Sequence, residues 1–399
     1  MSRAKQKIGD ELTVRIIKIV PNGLGLGFAE NLTVFVSLAA AGDELRVRIS
    51  QMKGKVAFAE IVEIIKPSTD RIKPPCVYFG RCGGCDFQHL AYEAQLNAKV
   101  GIIKDSLERI GKIDFQDIKI IGSPKEFAYR ARAAWHADTR SRKVGYFRRA
   151  SHSIIDVENC PILTDVLQNT LEELRVAIEW ESFWSQKIEI EAANVGEDVS
   201  VYSSELIEPT QELMFSVLGE NYFYDATAFF QGNPFLIESL IDTALREASG
   251  KFALDLYCGV GLFTLPLARK FEKVFGIEAG GKAVEFARKN IEHARLENAD
   301  VFAENVGEWL SENGAEADFI LLDPPRSGTE KEVIENILKI APNEISYVSC
   351  EPSTLARDLR ILCAELYEIQ SITAIDLFPQ THHIETVVRL KKLETAEVV

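Results

Sequence analysis

With 399 residues, the chain is too long for one ordinary domain and comfortable for two or three. Its 46% hydrophobic and 26% charged residues are those of a soluble globular protein with a real core, and the formal net charge of -15, taken alone, argues against a nucleic-acid binder. No apolar run approaches bilayer length, and Met1-Ser2-Arg3-Ala4-Lys5 leads straight into a charged strand pattern without a signal-peptide core, so a cytoplasmic protein with no membrane contact is expected.

Residues 11–66 read as short strands at 12–17, 32–36, 45–49 and 56–61, with Gly23, Gly25 and Gly27 marking a turn or bulge. Strands this short and close predict a small β-barrel over 1–67. Lys66-Pro67-Ser68-Thr69-Asp70 and Lys73-Pro74-Pro75 read as a linker. A cysteine-rich loop follows, then a helical stretch from Tyr92 to about Ile110. Strand-like and helix-like segments alternate over 117–220, which predicts a central α+β domain spanning 68–225. From 226 to 399, strands at 252–256, 273–277, 319–322 and 345–348 alternate with helices. That βαβ series predicts a mainly parallel sheet with its ligand at the C-terminal ends of the strands.

Averages hide patches. Between Arg130 and Arg149 lie Arg130, Arg132, Arg140, Arg142, Lys143, Arg148 and Arg149 against only Asp138, with Tyr129, Trp135, Tyr146 and Phe147 interleaved. Such a stretch is suited to phosphates and bases, or is an ordinary solvated face.

Seven cysteines, an odd number, argue against a disulfide framework and toward metal or catalysis. Cys76, Cys82 and Cys85 share one loop with Gly80, Gly83 and Gly84, which let the backbone wrap so that the sulfurs converge. Zinc or an iron–sulfur cluster wants four ligands; Cys160 is the expected fourth, with His89 as its rival in a zinc site. A structural role is expected, with the loop and Gln88 presented outward.

Ala253-Leu254-Asp255-Leu256-Tyr257-Cys258-Gly259-Val260-Gly261 is a strand running into a glycine turn and then a helix. The three-glycine dinucleotide pattern is absent, and the next strand ends in Glu278, placed either to accept two ribose hydroxyls or to cap the following helix. Asn305, after the third strand, suits an adenine amine. Glycine turn, ribose acid and adenine contact in this order resemble a class I S-adenosylmethionine (SAM) methyltransferase, which makes Asp255, Tyr257, Gly259, Gly261, Glu278 and Asn305 the expected cofactor contacts.

Phe319-Ile320-Leu321-Leu322-Asp323-Pro324-Pro325-Arg326 ends a buried strand in a carboxylate stiffened by two prolines. Arg326 stands where amino-methylating enzymes carry an aromatic, which points away from N-methylation. Cys350 lies between a buried strand and a helix, where a helix N-terminus and a nearby arginine are expected to favour its thiolate. Glu385, flanked by apolar residues at a strand start, is expected to have a raised pKa and to serve as a base.

Together, the barrel, Cys-x5-Cys-Gly-Gly-Cys, Phe229-Phe230-Gln231-x-Asn233, Asp-Pro-Pro-Arg, Ser-Cys-x-Pro-x-Thr-x-Ala-Arg-Asp and His-x-Glu resemble the RNA uracil-5-methyltransferases over nearly the whole chain. The barrel resembles the TRAM domain, an OB-like RNA-binding module. The resemblance implies an α/β protein: a Rossmann-like SAM methyltransferase domain with an N-terminal OB-like barrel and a central α+β domain. It also implies a [4Fe–4S] cluster on Cys76, Cys82, Cys85 and Cys160, Cys350 as nucleophile, Glu385 as base, and Gln231 at the cofactor or target base. Asp323 joins the cofactor pocket, placed for the N3–H of uracil, and Arg130 and Arg132 fall at basic RNA contacts. The implied product is 5-methyluridine in 23S rRNA first and the tRNA T-loop second, made by a monomer. Glu351 stands where asparagine follows the cysteine in the family, Leu262 replaces a polar residue, and Gly232 replaces a larger one. A small-molecule methyltransferase and a non-catalytic RNA-binding protein or chaperone are the alternatives.

Overall fold

The computed structural model describes residues 6–205, 210–313 and 316–393; the opening Met1–Lys5 run lies outside them. Five strands, β1 (Glu11–Val20), β2 (Leu24–Ala29), β3 (Leu32–Ser37), β4 (Glu44–Lys53) and β5 (Val56–Lys66), close a barrel in the order β1-β2-β3-β5-β4. Strict alternation along β1 buries Val14 and Ile16 against Val34, Val36, Val47 and Ile49 and turns Arg15 out. Of the glycines expected to mark a turn or bulge, Gly23 does lie in a turn at φ 68°, while the other two help build a strand. Gly25 and Gly27 lie in β2, where a Cβ on Gly27 would stand 2.4 Å from the Arg15 carbonyl oxygen on the neighbouring strand. The expected linker is pinned: buried Asp43 accepts hydrogen bonds from the Ser68 amide at 2.9 Å and from the Arg71 guanidinium at 2.7 Å.

After the cysteine loop come α1 (Tyr92–Ser106) and the short strand β6 (Ile118–Ile121). An antiparallel sheet, order β11-β10-β7-β8-β9, follows: β7 (Arg132–Asp138), β8 (Lys143–Phe147), β9 (Ile154–Asp156), β10 (Lys187–Val195) and β11 (Asp198–Tyr202). Helix α2 (Asp165–Ala177) packs on β10 and β11, with Thr164 capping its first turn at the Leu167 amide. A hairpin of β12 (Leu213–Val217) and β13 (Glu220–Tyr224) leads out of it.

The remaining elements are α3 (Ile237–Ala244), β14 (Gly250–Leu256), α4 (Thr264–Ala268), β15 (Phe271–Glu278), α5 (Gly281–His293), β16 (Ala299–Ala303) and α6 (Val306–Asn313). They continue with β17 (Phe319–Leu322), α7 (Lys331–Ile340), β18 (Glu344–Ser349), α8 (Pro352–Glu365), β19 (Tyr367–Ile375) and β20 (Glu385–Lys392). Eight strands make one sheet in the order β16-β15-β14-β17-β18-β20-β19-β6. β14 to β18 pair in parallel, while β20 runs antiparallel to both β18 and β19. Alternate residues feed two apolar layers, Ala253 and Leu321 on one face, Leu254, Leu256 and Leu322 on the other. The strand order reverses beside β14, which opens a crevice over its C-terminal end, between β14 and β17. The early strand β6 pairs in parallel with β19, and α1 packs on α8, so residues 92–121 join the C-terminal sheet although they precede the central one. Among the described residues no helix is long and apolar enough to cross a membrane.

Candidate active site

Three strand ends meet over the crevice. Beyond β14 the chain turns sharply, with positive φ at Tyr257 (65°), Gly259 (55°) and Gly261 (88°), and a Cβ on Gly259 would meet nothing within 4 Å. The turn is therefore open to a close-approaching ligand. Asp255 is fully buried; Thr264 donates to one of its oxygens at 2.5 Å, and the other has no partner. Burial first, then the nearby Asp323 and Glu278 carboxylates, push its pKa up to about 7, against the Thr264 hydrogen bond. Glu278, at the end of β15, accepts from the Gly259 amide at 3.1 Å and the Gly280 amide at 2.7 Å. It thus braces the glycine turn as well as the entry to α5. Tyr257 donates to Glu330 at 3.1 Å.

Asn305 has a local use as well. It is exposed, and its Oδ1 accepts from the Gly307 amide at 2.8 Å and the Glu308 amide at 3.3 Å, capping α6. Asparagine is among the best helix caps, and that local use occupies the oxygen. Gln231 is buried, while the neighbouring Asn233 donates to Ser123 at 3.2 Å and to the Leu377 carbonyl at 3.3 Å. Phe230 stacks on Tyr224, and Phe229 remains 64% exposed.

The pairing of β18 with β20 brings the far parts of the sequence together. Ser349 pairs with Thr386, so one step further along each strand stand Cys350 and Glu385. Asp323 follows the adjacent β17, and the Arg326 charge acts on the Cys350 thiol, favouring its ionised form. Glu385 is 3% exposed and its Oε1 has no partner. Burial, aided by Asp323 and opposed by Arg326, raises its pKa well above the carboxylate range. The Cys350 thiol departs from expectation. Burial and the Glu385 charge outweigh Arg326 and push it up to about 12, so the resting thiol keeps its proton. Asp323, half-buried, is pushed up to about 7 by desolvation.

At the opposite end of the cysteine loop, Cys76, Cys82, Cys85 and Cys160 line one cavity with Arg130 and Tyr146. His89 instead faces the Ala39 carbonyl, 3.2 Å from its Nε2. Gln88 is not presented outward: it is 1% exposed and accepts from the Cys76 amide at 3.2 Å. Among the described residues, no three His, Cys, Asp or Glu side chains close to the spacing of a single-ion centre.

Of the seven cations in the basic stretch, Arg130, Arg132 and Arg149 are committed to the fold. Arg132 donates to the Ala226 and Ala228 carbonyls, both at 2.7 Å, and Arg149 to Asp86 at 2.8 Å and the Cys85 carbonyl at 2.6 Å. The Arg130 Nε donates to the Arg132 carbonyl at 2.9 Å. Of the aromatics expected to stack on bases, Trp135 and Tyr129 are core residues and Phe147 stacks on His136. Arg140 and Arg148 stay exposed. Two residues that the sequence did not flag as functional stand at the centre of this region: Asp86, which accepts from His382, and Lys99, which pairs with Asp376.

Known proteins resemble the chain along almost its whole length. The family model for tRNA (uracil-5-)-methyltransferase matches residues 204–393 and that for the TRAM domain residues 5–62. Uncharacterized RNA methyltransferases are 32% identical in Clostridium tetani, over 92% of this chain and 93% of theirs, and 32% identical in Thermotoga maritima, over 95% and 98%. The Pyrococcus abyssi tRNA (uracil-54, C5)-methyltransferase, solved with S-adenosyl-L-homocysteine, superposes with a TM-score of 0.73 at 25% identity, covering 94% of this chain and all of that one. A closed N-terminal barrel, a doubly covered α/β sheet and these matches agree: the chain belongs to the RNA (uracil-5-)-methyltransferase family and carries that family's TRAM domain.

Proposed function

We propose that this enzyme methylates C5 of a uridine in RNA by covalent catalysis, with SAM as donor, Cys350 as nucleophile and Glu385 as base. The observation that carries the reading is the β18–β20 register, which sets a thiol beside a buried carboxyl with an unpaired oxygen, next to Arg326 and Asp323. C5 of uracil is too weak a nucleophile to take a methyl group unaided. The Cys350 thiolate adds to C6, and the C5=C6 pair moves toward O4 as an enolate. C5 then bonds to the sulfonium methyl, and the donor sulfur leaves with the electron pair. Glu385 takes the C5 proton, C5=C6 reforms, and the C6–sulfur bond breaks to return the thiolate. Arg326 beside both groups favours the charged forms that these steps require. The uridine must leave its stack to reach this crevice.

The residues present fit the donor. The unpartnered Asp255 oxygen, the turn through Gly259 and Gly261 (open at Gly259), Tyr257 and Glu278 form its cradle, with Gln231 and Asp323 toward the base. Asn305 would contribute through its amide nitrogen, its oxygen being used by α6. Four soft thiols around one cavity, Cys76, Cys82, Cys85 and Cys160, suit a [4Fe–4S] cluster, which would hold the loop together. The units 1–67, 68–225 and 226–399, with residues 92–121 of the second built onto the sheet of the third, divide the work into RNA capture, loop scaffold and chemistry in a monomer working in the cytoplasm, where its RNA is. The exposed Arg140 and Arg148 extend the cationic stretch around Arg130 and Arg132 toward RNA.

The target we favour is 23S rRNA. The tRNA T-loop is the second reading, favoured by the Pyrococcus abyssi enzyme that acts on uracil-54 of tRNA. Two measurements test this. RNA carrying 5-fluorouridine has no C5 proton to lose and should remain bonded to the enzyme through Cys350; a linkage at another residue, or none, overturns the mechanism. Mapping 5-methyluridine in a strain lacking the protein assigns the RNA, since the site that disappears is the target.

A further inference from the structure

The segment joining β19 to Glu385, residues 376–384, is held from several sides. The Asp86 and Phe87 amides, just past Cys85, donate to the Gln380 carbonyl at 3.0 and 2.9 Å. Asp86 Oδ2 accepts from His382 Nδ1 at 2.6 Å, and its Oδ1 accepts from Arg149 at 2.8 Å. From α1, Gln95 exchanges two hydrogen bonds with Gln380, at 2.9 and 3.0 Å, and Lys99 donates to the Phe378 carbonyl at 2.9 Å. Tyr129 donates to the Pro379 carbonyl at 2.9 Å. The barrel takes part too: a Cβ on Gly23 would stand 3.1 Å from the His382 Cβ and 3.5 Å from that of Asp86. Gln380 sits at φ 69°, a left-handed conformation that a non-glycine residue keeps only when its surroundings impose it.

The geometry points to Asp86 as a positioning residue for the catalytic base: we propose that the cysteine loop, through the Asp86–His382 pair, holds the segment that aims Glu385 at C5. Glu385 lies three residues beyond His382, with no hydrogen-bond partner on Oε1, so its aim depends on the backbone that carries it. The cysteine loop acts here on the second half of the reaction. Addition of Cys350 draws on β18, α8 and the Asp323–Arg326 loop, whereas the hydrogen bonds of Asp86 run to Arg149 and to Gln380 and His382, on the path to Glu385, whose register proton removal needs. This inference rests on the assignment of Glu385 as the base.

The experiment compares Asp86→Ala and His382→Phe with Glu385→Gln in the iron-loaded, full-length enzyme with substrate RNA and SAM. For both positioning variants kcat should fall about 10–100-fold, the scale of a roughly 1 Å misplacement, with KM for RNA unchanged. The distinctive readout is a denaturing gel, on which protein–RNA adduct through Cys350 should build up, because addition proceeds while release stalls. A merely structural role would lower kcat without adduct. If Asp86→Ala sheds its iron, His382→Phe, which leaves the cysteine loop untouched, decides. Adduct with Glu385→Gln but with neither positioning variant overturns this inference alone. No adduct with Glu385→Gln overturns the base assignment and this inference with it.

Discussion

In the cysteine cavity, burial is the first cause holding Cys82, Cys85 and Cys160 protonated, with Cys160 pushed up to about 11. At the catalytic end burial does the same to Cys350, pushed up to about 12. Their neighbours differ. In the cavity each thiol is further raised by other thiols, with Arg130 in opposition. Thiols crowded in this way cannot ionise together unless a permanent cationic centre joins them. Cys350 stands alone between Glu385 and Asp323, which resist its ionisation, and Arg326, which favours it. One thiol in that company ionises transiently, when an electrophilic carbon is there to take the sulfur. The same desolvation therefore makes one site wait for a cofactor and the other for a substrate.

Exchanging the two losses breaks or keeps this contrast with the largest effect. Cys350→Ala should lower methyl transfer at least about 10,000-fold, the scale of losing a covalent nucleophile, while bound iron and thermal stability hold. Cys85→Ser should do the reverse in order, losing iron and stability first and activity as a consequence. Methyl incorporation and iron content in the same preparations measure both. Iron lost from the Cys350 variant would join the two sites into one.

The next largest effect concerns the bridge between them. Lys99 and Asp376 are both fully buried and pair at 2.5 Å, with Tyr92 donating to the second Asp376 oxygen at 2.9 Å. Lys99→Met leaves a buried carboxylate without its cation and should cost about 3–5 kcal/mol in denaturant unfolding. A loss below about 1 kcal/mol would mean that the 376–384 segment is held mainly by its other contacts.

A pH series sharpens the contrast more gently. In the free enzyme Cys350 is pushed to about 12 and Glu385 is raised, and each must give up its proton to act. Both populations of active form grow as pH rises. Because kcat/KM reports the free enzyme, it should climb with pH from roughly pH 6.5 to 8.5, by about tenfold per pH unit for each of the two protons still to be lost, so up to about a hundredfold per unit. A profile that falls over this range would show that a protonated group, not these two, controls the reaction.

Local signals were legible where the chemistry is local. Alternation marked β1, β3, β4 and β5, and the strand–turn motifs placed Asp255, Asp323, Cys350 and Glu385 at strand ends. β2 escaped because glycine carries no strand preference, although Gly27 is needed there for its close approach to Arg15. The capping use of the Asn305 oxygen was not legible, because a cap and an adenine contact ask for the same residue. Long-range pairing was not legible at all. β6 finds β19 across the intervening central sheet, His382 finds Asp86 across 296 positions, and Lys99 finds Asp376 across 277. Of the departures from the family pattern, Leu262 is a core residue whose carbonyl accepts from Tyr222, and a Cβ on Gly232 would meet only Arg132 at 3.8 Å.

The smallest expected effect belongs to the remaining departure, Glu351. It caps α8, accepting from the Ser353 amide at 3.2 Å and the Ser353 hydroxyl at 2.7 Å. Asparagine, the residue that stands there in the family, is a better cap by propensity, so Glu351→Asn should leave stability within about 0.5 kcal/mol. The leading influences on the Cys350 thiol are burial, Glu385, Arg326 and Asp323, and the Glu351 charge is not among them. Methyl transfer by Glu351→Asn should therefore stay within about threefold of the parent in kcat/KM, or roughly 0.65 kcal/mol. A change beyond tenfold would give the residue after the nucleophile a part in the chemistry. The lone-thiol site would then include the helix cap in its electrostatics, as the four-thiol cavity includes Arg130.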